Sequence, residues 1–591
     1  MWRVTHHLHH WPMNLATVAG IAKGSVMDTG RSPNIDHRRL DDLRRGRGPI
    51  QEHVIDEFVA GRLSRRDFLR RGSAIGLSMP LIGGILAACG SSGQSPGQTQ
   101  KGKAGGTIKA GILVPAAAIN PITIADQGGL ELIGNVGEFL VFTDQHGNYH
   151  PWLAESWTPN ADSSVWTFKI RQGVKFNDGT PMTVDDVVYS FQTQSDPKSK
   201  ANALSVFGGI LDPSGVQKVN DTTVAFHLTA PDGGFVDAVS EDNYNMIIVP
   251  KGFDYGQYQT TWPGTGRFMK QSYTASTGAT LVRNPHYWGT KALPSQLEFT
   301  FYPDEAPMAA ALQAGSIDCL DQFSVANSPQ LLTGFKVISL KAATHRELSM
   351  RCDMHPFTSN LVRQAIAYTL DRPAIVAALF KGQAQVGNDS PFSPSFPSTD
   401  TSVPQRTKNL ALAKQLLGRA GVPRGFKASL LTETTQEIPH LAQIVKQSAS
   451  QIGVDINLTI ETPTKYYGQA VFGKSDWLDG EMSLVDYGAR AVPNVYLAAP
   501  LQSINAKTGS GSWNAAHFNN PTYDKLSKDY IAAADLSTQR KLAGQIQRLL
   551  LDQTPIIFAY FYNYLSATQQ NVTGVYPTAQ GQFFLWNAAK A

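Results

Sequence analysis

The chain has 591 residues, 42% hydrophobic and 17% charged. That is the make-up of a globular protein with more than one core-forming unit, since single cores stop growing near roughly 250–300 residues. The formal net charge of +4 belongs to one end: residues 1–88 hold 13 Lys and Arg against 8 Asp and Glu, so the rest balances at −1. This excludes an electrostatic footprint for nucleic acid, and three cysteines in so long a chain exclude a disulfide-stapled scaffold.

Residues 1–63 do not read as a domain. His6, His7, His9 and His10 form a His-rich tract without Cys or carboxylate beside it, and Arg38–Arg47 mixes basic and acidic residues as a solvated, disordered segment does. An export signal normally opens a chain, so the signal that follows points to a translation start downstream, near Met27. Residues 64–88 carry that signal. Ser64-Arg65-Arg66-Asp67-Phe68-Leu69 is a twin-arginine pattern, with Arg65 and Arg66 as its pair. The apolar stretch after it, Gly72–Ala88, is glycine-rich and shorter than the ~20 residues a membrane span needs. It ends in Leu86-Ala87-Ala88-Cys89, which resembles a lipobox, so Cys89 is the expected lipidation site and anchor to the outer face of the cytoplasmic membrane. Residues 89–106 then form a flexible tether with a reach of roughly 20–25 Å. Gly97–Lys103 fits GxxxxGK but lacks the Ser/Thr, strand and helix of a phosphate-binding loop.

The folded part begins near Thr107. Thr107–Leu113 reads as a strand, Asn120-Pro121 as a loop, and Asp144–Gly147 as a hairpin-type turn. In the block Pro151–Phe191, Trp166, Phe168 and Ile170 alternate with polar residues as in a half-buried strand. Asn177-Asp178-Gly179 makes a turn, Thr183 stands at a helix N-cap with Asp186 three residues on, and Val184, Val187, Val188 and Phe191 line a helix face. Later helix faces at Leu361/Ala365/Tyr368, Leu410–Ala420, Leu441–Ile452 and Leu542–Leu550 interleave with strands at Val454–Ile460 and Pro555–Tyr562, the alternation of an α/β unit. Arg363 and Arg372 read as helix-end and internal ion-pair partners. Cys319 and Cys352 remain either a disulfide or two buried thiols.

The wording of that central block resembles the family 5 extracellular solute-binding proteins, the large receptors of peptide and nickel ABC importers. Ala154-Glu155-Ser156-Trp157, the run Trp166–Pro181, Gly264-Thr265-Gly266-Arg267-Phe268, Arg283-Asn284-Pro285-His286-Tyr287-Trp288 and Ala311–Asp318 all match, with Arg267 in place of the family's usual proline. The resemblance covers about 107–591. It implies an α/β, two-lobed periplasmic-binding-protein fold (type II, cluster C) with a hinge-closing cleft: 107–335 as the first part of lobe I, 340–554 as lobe II, and 555–591 as a return to lobe I. It further implies capture of a peptide or similar polar organic solute, an ABC permease as partner, and a monomeric, lipid-anchored receptor at the cell surface or in the periplasm.

Asn120, Tyr244, Asn245, Trp477, Asp486, Tyr487, Arg490, Trp513 and His517 are the expected ligand contacts. Peptide-binding members carry an Asp-rich turn where this chain has Ser483–Asn494. Asp486 therefore stands as an ammonium partner, a partner of Arg490, or neither, and Arg490 as a fork for a ligand carboxylate. Enzyme constellations are missing: the folded region has no HExxH, CxxC or GxSxG. The eight histidines after Cys89 are scattered, so neither a metal site nor a cofactor is expected, although His345 and His517 flank segments that approach the cleft in the family. The rival expectations are an exported hydrolase or redox enzyme and a surface receptor that no longer imports.

Overall fold

The computed structural model describes residues 104–591, apart from 125, 146–147, 506–509 and 534. The twin-arginine pair Arg65 and Arg66, and Cys89, lie outside the described residues. Two large sheets organise the fold. The first has seven strands in the order Lys336–Leu340, Tyr564–Thr568, Cys319–Leu320, Thr107–Leu113, Gln296–Tyr302, Gly278–Arg283 and Phe268–Thr274. Thr107–Leu113 runs parallel to both of its neighbours, and the outer pairs are antiparallel. The second sheet has six strands: Ala384–Val386, Ile556–Tyr562, His345–Met350, Met482–Tyr487, Lys427–Glu433 and Asp455–Glu461. Helix Ile438–Ser450 carries the chain from Lys427–Glu433 to its parallel neighbour Asp455–Glu461, the crossover that parallel strands require.

The chain passes between the sheets at 341–344 and at Asn563, outside any strand or helix. The two crossings are tied together: Tyr562 N–H donates to the Thr344 carbonyl at 3.0 Å, and the Thr344 hydroxyl to the Tyr562 carbonyl at 2.5 Å. The return was expected to start at Pro555. Ile556–Tyr562 instead pairs with His345–Ser349 and Ala384–Val386 in the second sheet, and the first sheet takes the chain back only from Tyr564. Its side chains hold it there: all seven residues of Ile556–Tyr562 are buried, Tyr560 bonds Glu437, and Tyr562 accepts from Arg346 of the second sheet.

The central sequence block forms a separate four-stranded antiparallel sheet, Ala154–Pro159, Val165–Ile170, Thr223–His227 and Val216–Asn220. Helix Val184–Ser195 covers it, and the expected cap is present: Asp186 accepts from the Thr183 N–H at 2.6 Å and from its hydroxyl at 2.9 Å. Asp186 also accepts from the Lys251 N–H at 2.7 Å, so one carboxylate sets the helix start and fastens a distant loop.

The family-like words around this block converge on one buried carboxylate. Glu138, 1% exposed, accepts from Trp152 Nε1 (2.5 Å), Trp288 Nε1 (2.9 Å), the Tyr287 hydroxyl (2.9 Å) and the Thr265 hydroxyl (2.9 Å). Arg267 lies over the rings of Tyr287 and Trp586, its centre 4.8 and 4.5 Å from theirs, and its charge offsets part of the burial that raises the Glu138 pKa. Gly264 and Gly266 are required there, since a Cβ on either would stand 2.3–2.5 Å from the Val136 carbonyl. These motifs are scaffold, as the sequence suggests. Cys319 and Cys352 are free thiols, the first buried in the first sheet and the second packed against a core of the second.

Arg372 pairs with Asp389, which also holds Arg406 at 2.6 Å, all three almost wholly buried. Arg363 departs from the ion-pair expectation. Its guanidinium donates to the carbonyls of Gln553, Thr554 and Phe357, holding the end of helix Leu536–Gln553.

Candidate ligand-binding site

The candidate site lies where the second sheet ends against the first-sheet side of the molecule. Strand Met482–Tyr487 pairs antiparallel with His345–Met350, in a register that sets Arg346 opposite Asp486 and His345 opposite Tyr487. Side chains alternate between the faces of a strand, so the two residues of each pair share a face and the two pairs serve opposite sides of the sheet.

On one face, Arg346 is 1% exposed and spends every N–H it has. Nε and Nη2 fork onto Glu437 at 2.8 and 3.2 Å, Nη2 also reaches Gln436 Oε1 at 2.8 Å, and Nη1 donates to the Tyr562 hydroxyl at 2.8 Å and to Asp486 Oδ1. The guanidinium lies over the Tyr562 ring, 4.5 Å from its centroid. Tyr560 closes the network with a 2.8 Å bond to Glu437. Asp486 is thereby fixed through one oxygen, while its side chain stays 36% exposed. Beside it, burial and the charge of Asp486 raise the pKa of Glu433, which accepts from the Tyr467 hydroxyl at 2.5 Å. A cavity adjoins this face, lined by Gln436, Glu437, Tyr562 and Asn563 on one side and by Gln322–Ala326 and Leu565 on the other.

On the other face, His345 is fully buried among Tyr487, Tyr496, Phe558 and Phe561, with Tyr487 stacked parallel at 5.5 Å. Its Nδ1, 2.7 Å from the Ala343 carbonyl, must donate there, so Nε2 meets Glu347 at 3.2 Å with one proton between them. Burial raises the Glu347 pKa and the histidine pulls it back. No metal-binding group of three ligating side chains occurs among the described residues.

The expected contacts divide. Trp477, Tyr487 and Trp513 do come together in one aromatic cluster with Tyr466 and Tyr496. Trp477 and Tyr487, expected as stacking rings for a solute, are core: 4% and 7% exposed, enclosed by other rings, each with a buried polar atom lacking a protein partner. Trp513 keeps a partly exposed face. Asp486 pairs with Arg346 and not with Arg490, whose Nη1 turns to its neighbour's carbonyl, Ala489, at 2.9 Å.

Arg490 lies within electrostatic reach of buried acid. Burial pushes Asp242 up to about 7, against the hydrogen bonds of Thr143 and Ser240 and, least, the charge of Arg490. The neighbouring Asn494 donates to Asp232 at 3.5 Å, and burial pushes Asp232 up to about 6. Ala489 packs with Ala342, Tyr564 and Ala579, so the loop after strand Met482–Tyr487 touches the crossing and the first-sheet side together.

Asn120 and Asn245 serve the backbone. Asn120 donates to the Tyr255 carbonyl at 3.0 Å and accepts from the Ile122 N–H at 2.9 Å. Asn245, 2% exposed, gives both amide hydrogens to the carbonyls of Pro121 and Ile124, leaving none for a solute. Tyr244 is partly exposed against the first core. His517 pairs with Asp353 at 3.2 Å and packs against Phe472, and burial lowers its pKa. Arg346, Glu437 and Tyr562 were missed. The signal was a strand, His345–Met350, carrying three ionisable groups inside a fully buried run.

Comparison with known proteins places the arrangement. The chain is 28% identical over 437 residues to heme-binding protein A of Haemophilus influenzae, covering 69% of this chain and 78% of that protein. It is 24% identical over 536 residues to the oligopeptide-binding protein AppA of Bacillus subtilis, covering 85% and 96%. The solved structure of the periplasmic binding protein DppA of Helicobacter pylori in complex with the peptide STSA shares the fold, with a TM-score of 0.69 at 21% identity, over 83% of this chain and 98% of that one. The model of the bacterial extracellular solute-binding proteins, family 5, matches residues 148–507, more than half of the length. The chain therefore belongs to the family 5 bacterial extracellular solute-binding proteins: a two-lobed α/β substrate-binding protein.

Proposed function

We propose that this protein captures a peptide or a similar polar organic solute outside the cytoplasmic membrane and delivers it to an ABC permease as a monomer, binding without turnover. Export by the Arg65–Arg66 signal and lipidation at Cys89 tether it to the membrane. Relatives named as oligopeptide- and heme-binding proteins support the binding role. The observation that carries the reading is Asp486: a carboxylate fixed through one oxygen by a buried arginine, still 36% exposed, at the end of the second sheet where it meets the first-sheet side. It receives the cationic end of the solute. Arg490 and the open face of Trp513 supply an anion contact and a stacking surface. Closure follows because a ligand that touches both lobes favours the state in which they meet.

The test is calorimetric titration of the purified protein with di-, tri- and tetra-alanine, repeated with Asp486→Asn. The reading expects saturable binding to at least one peptide, weakened at least tenfold by the substitution. Binding to none of the three removes the peptide assignment, and binding indifferent to Asp486→Asn removes Asp486 from the site.

A further inference from the structure

Arg346 stands two residues beyond the first crossing, 341–344, and its hydroxyl partner Tyr562 is the last residue before the second, at Asn563. The backbone of Tyr562 is bonded in both directions to Thr344. Both crossings therefore end on one guanidinium, directly or through Tyr562. The same guanidinium holds Asp486 Oδ1, and its far edge is clamped by Glu437 and Gln436 at the start of helix Ile438–Ser450. A planar five-donor group with every donor engaged has one orientation. A shift of Asp486 must then move Arg346, and Arg346 cannot move without releasing Tyr562. The adjoining cavity is walled by Glu437, Tyr562 and Asn563 against Gln322–Ala326, so the first-sheet side meets this cluster where the sheets approach.

We infer that Arg346 is a positioning residue that couples solute engagement at Asp486 to the two crossings between the sheets, and so to hinge closure. This rests on the reading of Asp486 as the group that meets the solute. Lysine does not substitute for Arg346, because a point charge with three donors on a flexible stem cannot hold Glu437, Asp486 and Tyr562 in one plane.

The test is a double-substitution cycle read by hydrogen–deuterium exchange on the full chain without solute, following fragments that span 341–344 and 556–566. Asp486→Asn is expected to speed exchange at the Tyr562 amide at least threefold, with no change in helix Glu305–Gln313 of the first-sheet side. In an Arg346→Gln or Arg346→Lys background the crossing is already at least fivefold faster, and adding Asp486→Asn changes it no further. Should the Arg346 variants fail to fold, Tyr562→Phe takes their place, removing only the hydroxyl link, and is expected to abolish the same response. A crossing indifferent to Asp486→Asn, or one that responds equally with and without Arg346 or the Tyr562 hydroxyl, overturns the coupling. Failure of the alanine peptides to bind overturns the peptide reading alone, because the cycle needs no ligand.

Discussion

At the scale of single residues, one buried carboxylate, Glu138, gathers the family-like motifs. Glu138 is ringed by four donors that come from three separate stretches of chain. The motifs were legible as turns and aromatic core. Their common acceptor was not, because a glutamate in the run Gly137–Leu140 carries no sign of which distant donors reach it. Glu138→Gln turns an amide N–H₂ toward a group of donors and is expected to destabilise the fold by about 2–4 kcal/mol, measured as a lowered midpoint in urea unfolding. Asp486 lies in strand Met482–Tyr487 and not in the expected turn, and its partner, 140 positions earlier, is found only through strand register. Asn245 shows the converse: a polar residue in a plausible loop whose hydrogens are consumed by its own backbone neighbours.

Among elements, local signals read well where one segment decides the outcome. The capping box of helix Val184–Ser195 is an example, and Thr183→Ala is expected to cost about 1 kcal/mol, again read from urea unfolding. Signals failed where pairing decides. The strand Ile556–Tyr562 was legible as buried, yet its sheet was not, since an all-apolar run fits the centre of either sheet. The buried trio Arg372, Asp389 and Arg406 ties helix Arg372–Phe380 to the segment before helix Leu410–Arg419, and Arg406 also reaches Thr554 at the end of the long helix. Asp389→Ala would strand two guanidinium groups without a counter-charge. The expected loss is about 3–5 kcal/mol, with Arg372→Met/Asp389→Ala/Arg406→Met recovering much of it. Equal losses in the single and triple variants would contradict this account.

For the whole molecule, deeply buried acid sets the pH response. Asp321 is fully buried, and burial pushes its pKa up to about 7 against the pull of the backbone N–H groups of Gln322 and of Asp321 itself. Asp242 is likewise at about 7 and Asp232 at about 6. A carboxyl whose folded pKa exceeds its unfolded one favours folding fully below the unfolded value, near ~4, and that contribution is lost as pH rises through the folded value. Stability should therefore fall between pH 5 and pH 8. Asp321→Asn, which cannot ionise, should reduce that fall by about 1–3 kcal/mol, checked by urea unfolding at the two pH values. An unchanged pH dependence would mean that Asp321 ionises without cost.

The two-lobed architecture was legible in the ordered family-like words, because these record turns and core contacts that the fold cannot do without. The solute is less legible, because it is chosen by a few side chains at the meeting of the lobes, and the turn there departs from the family's acidic pattern. Native mass spectrometry of the exported protein, purified without refolding and followed by denaturing analysis of whatever is released, tests that claim most directly. The expected result is a ladder of co-purified masses that resolves into short peptides, reduced in Asp486→Asn. A single non-peptide mass, or a ladder unchanged by that substitution, would contradict it.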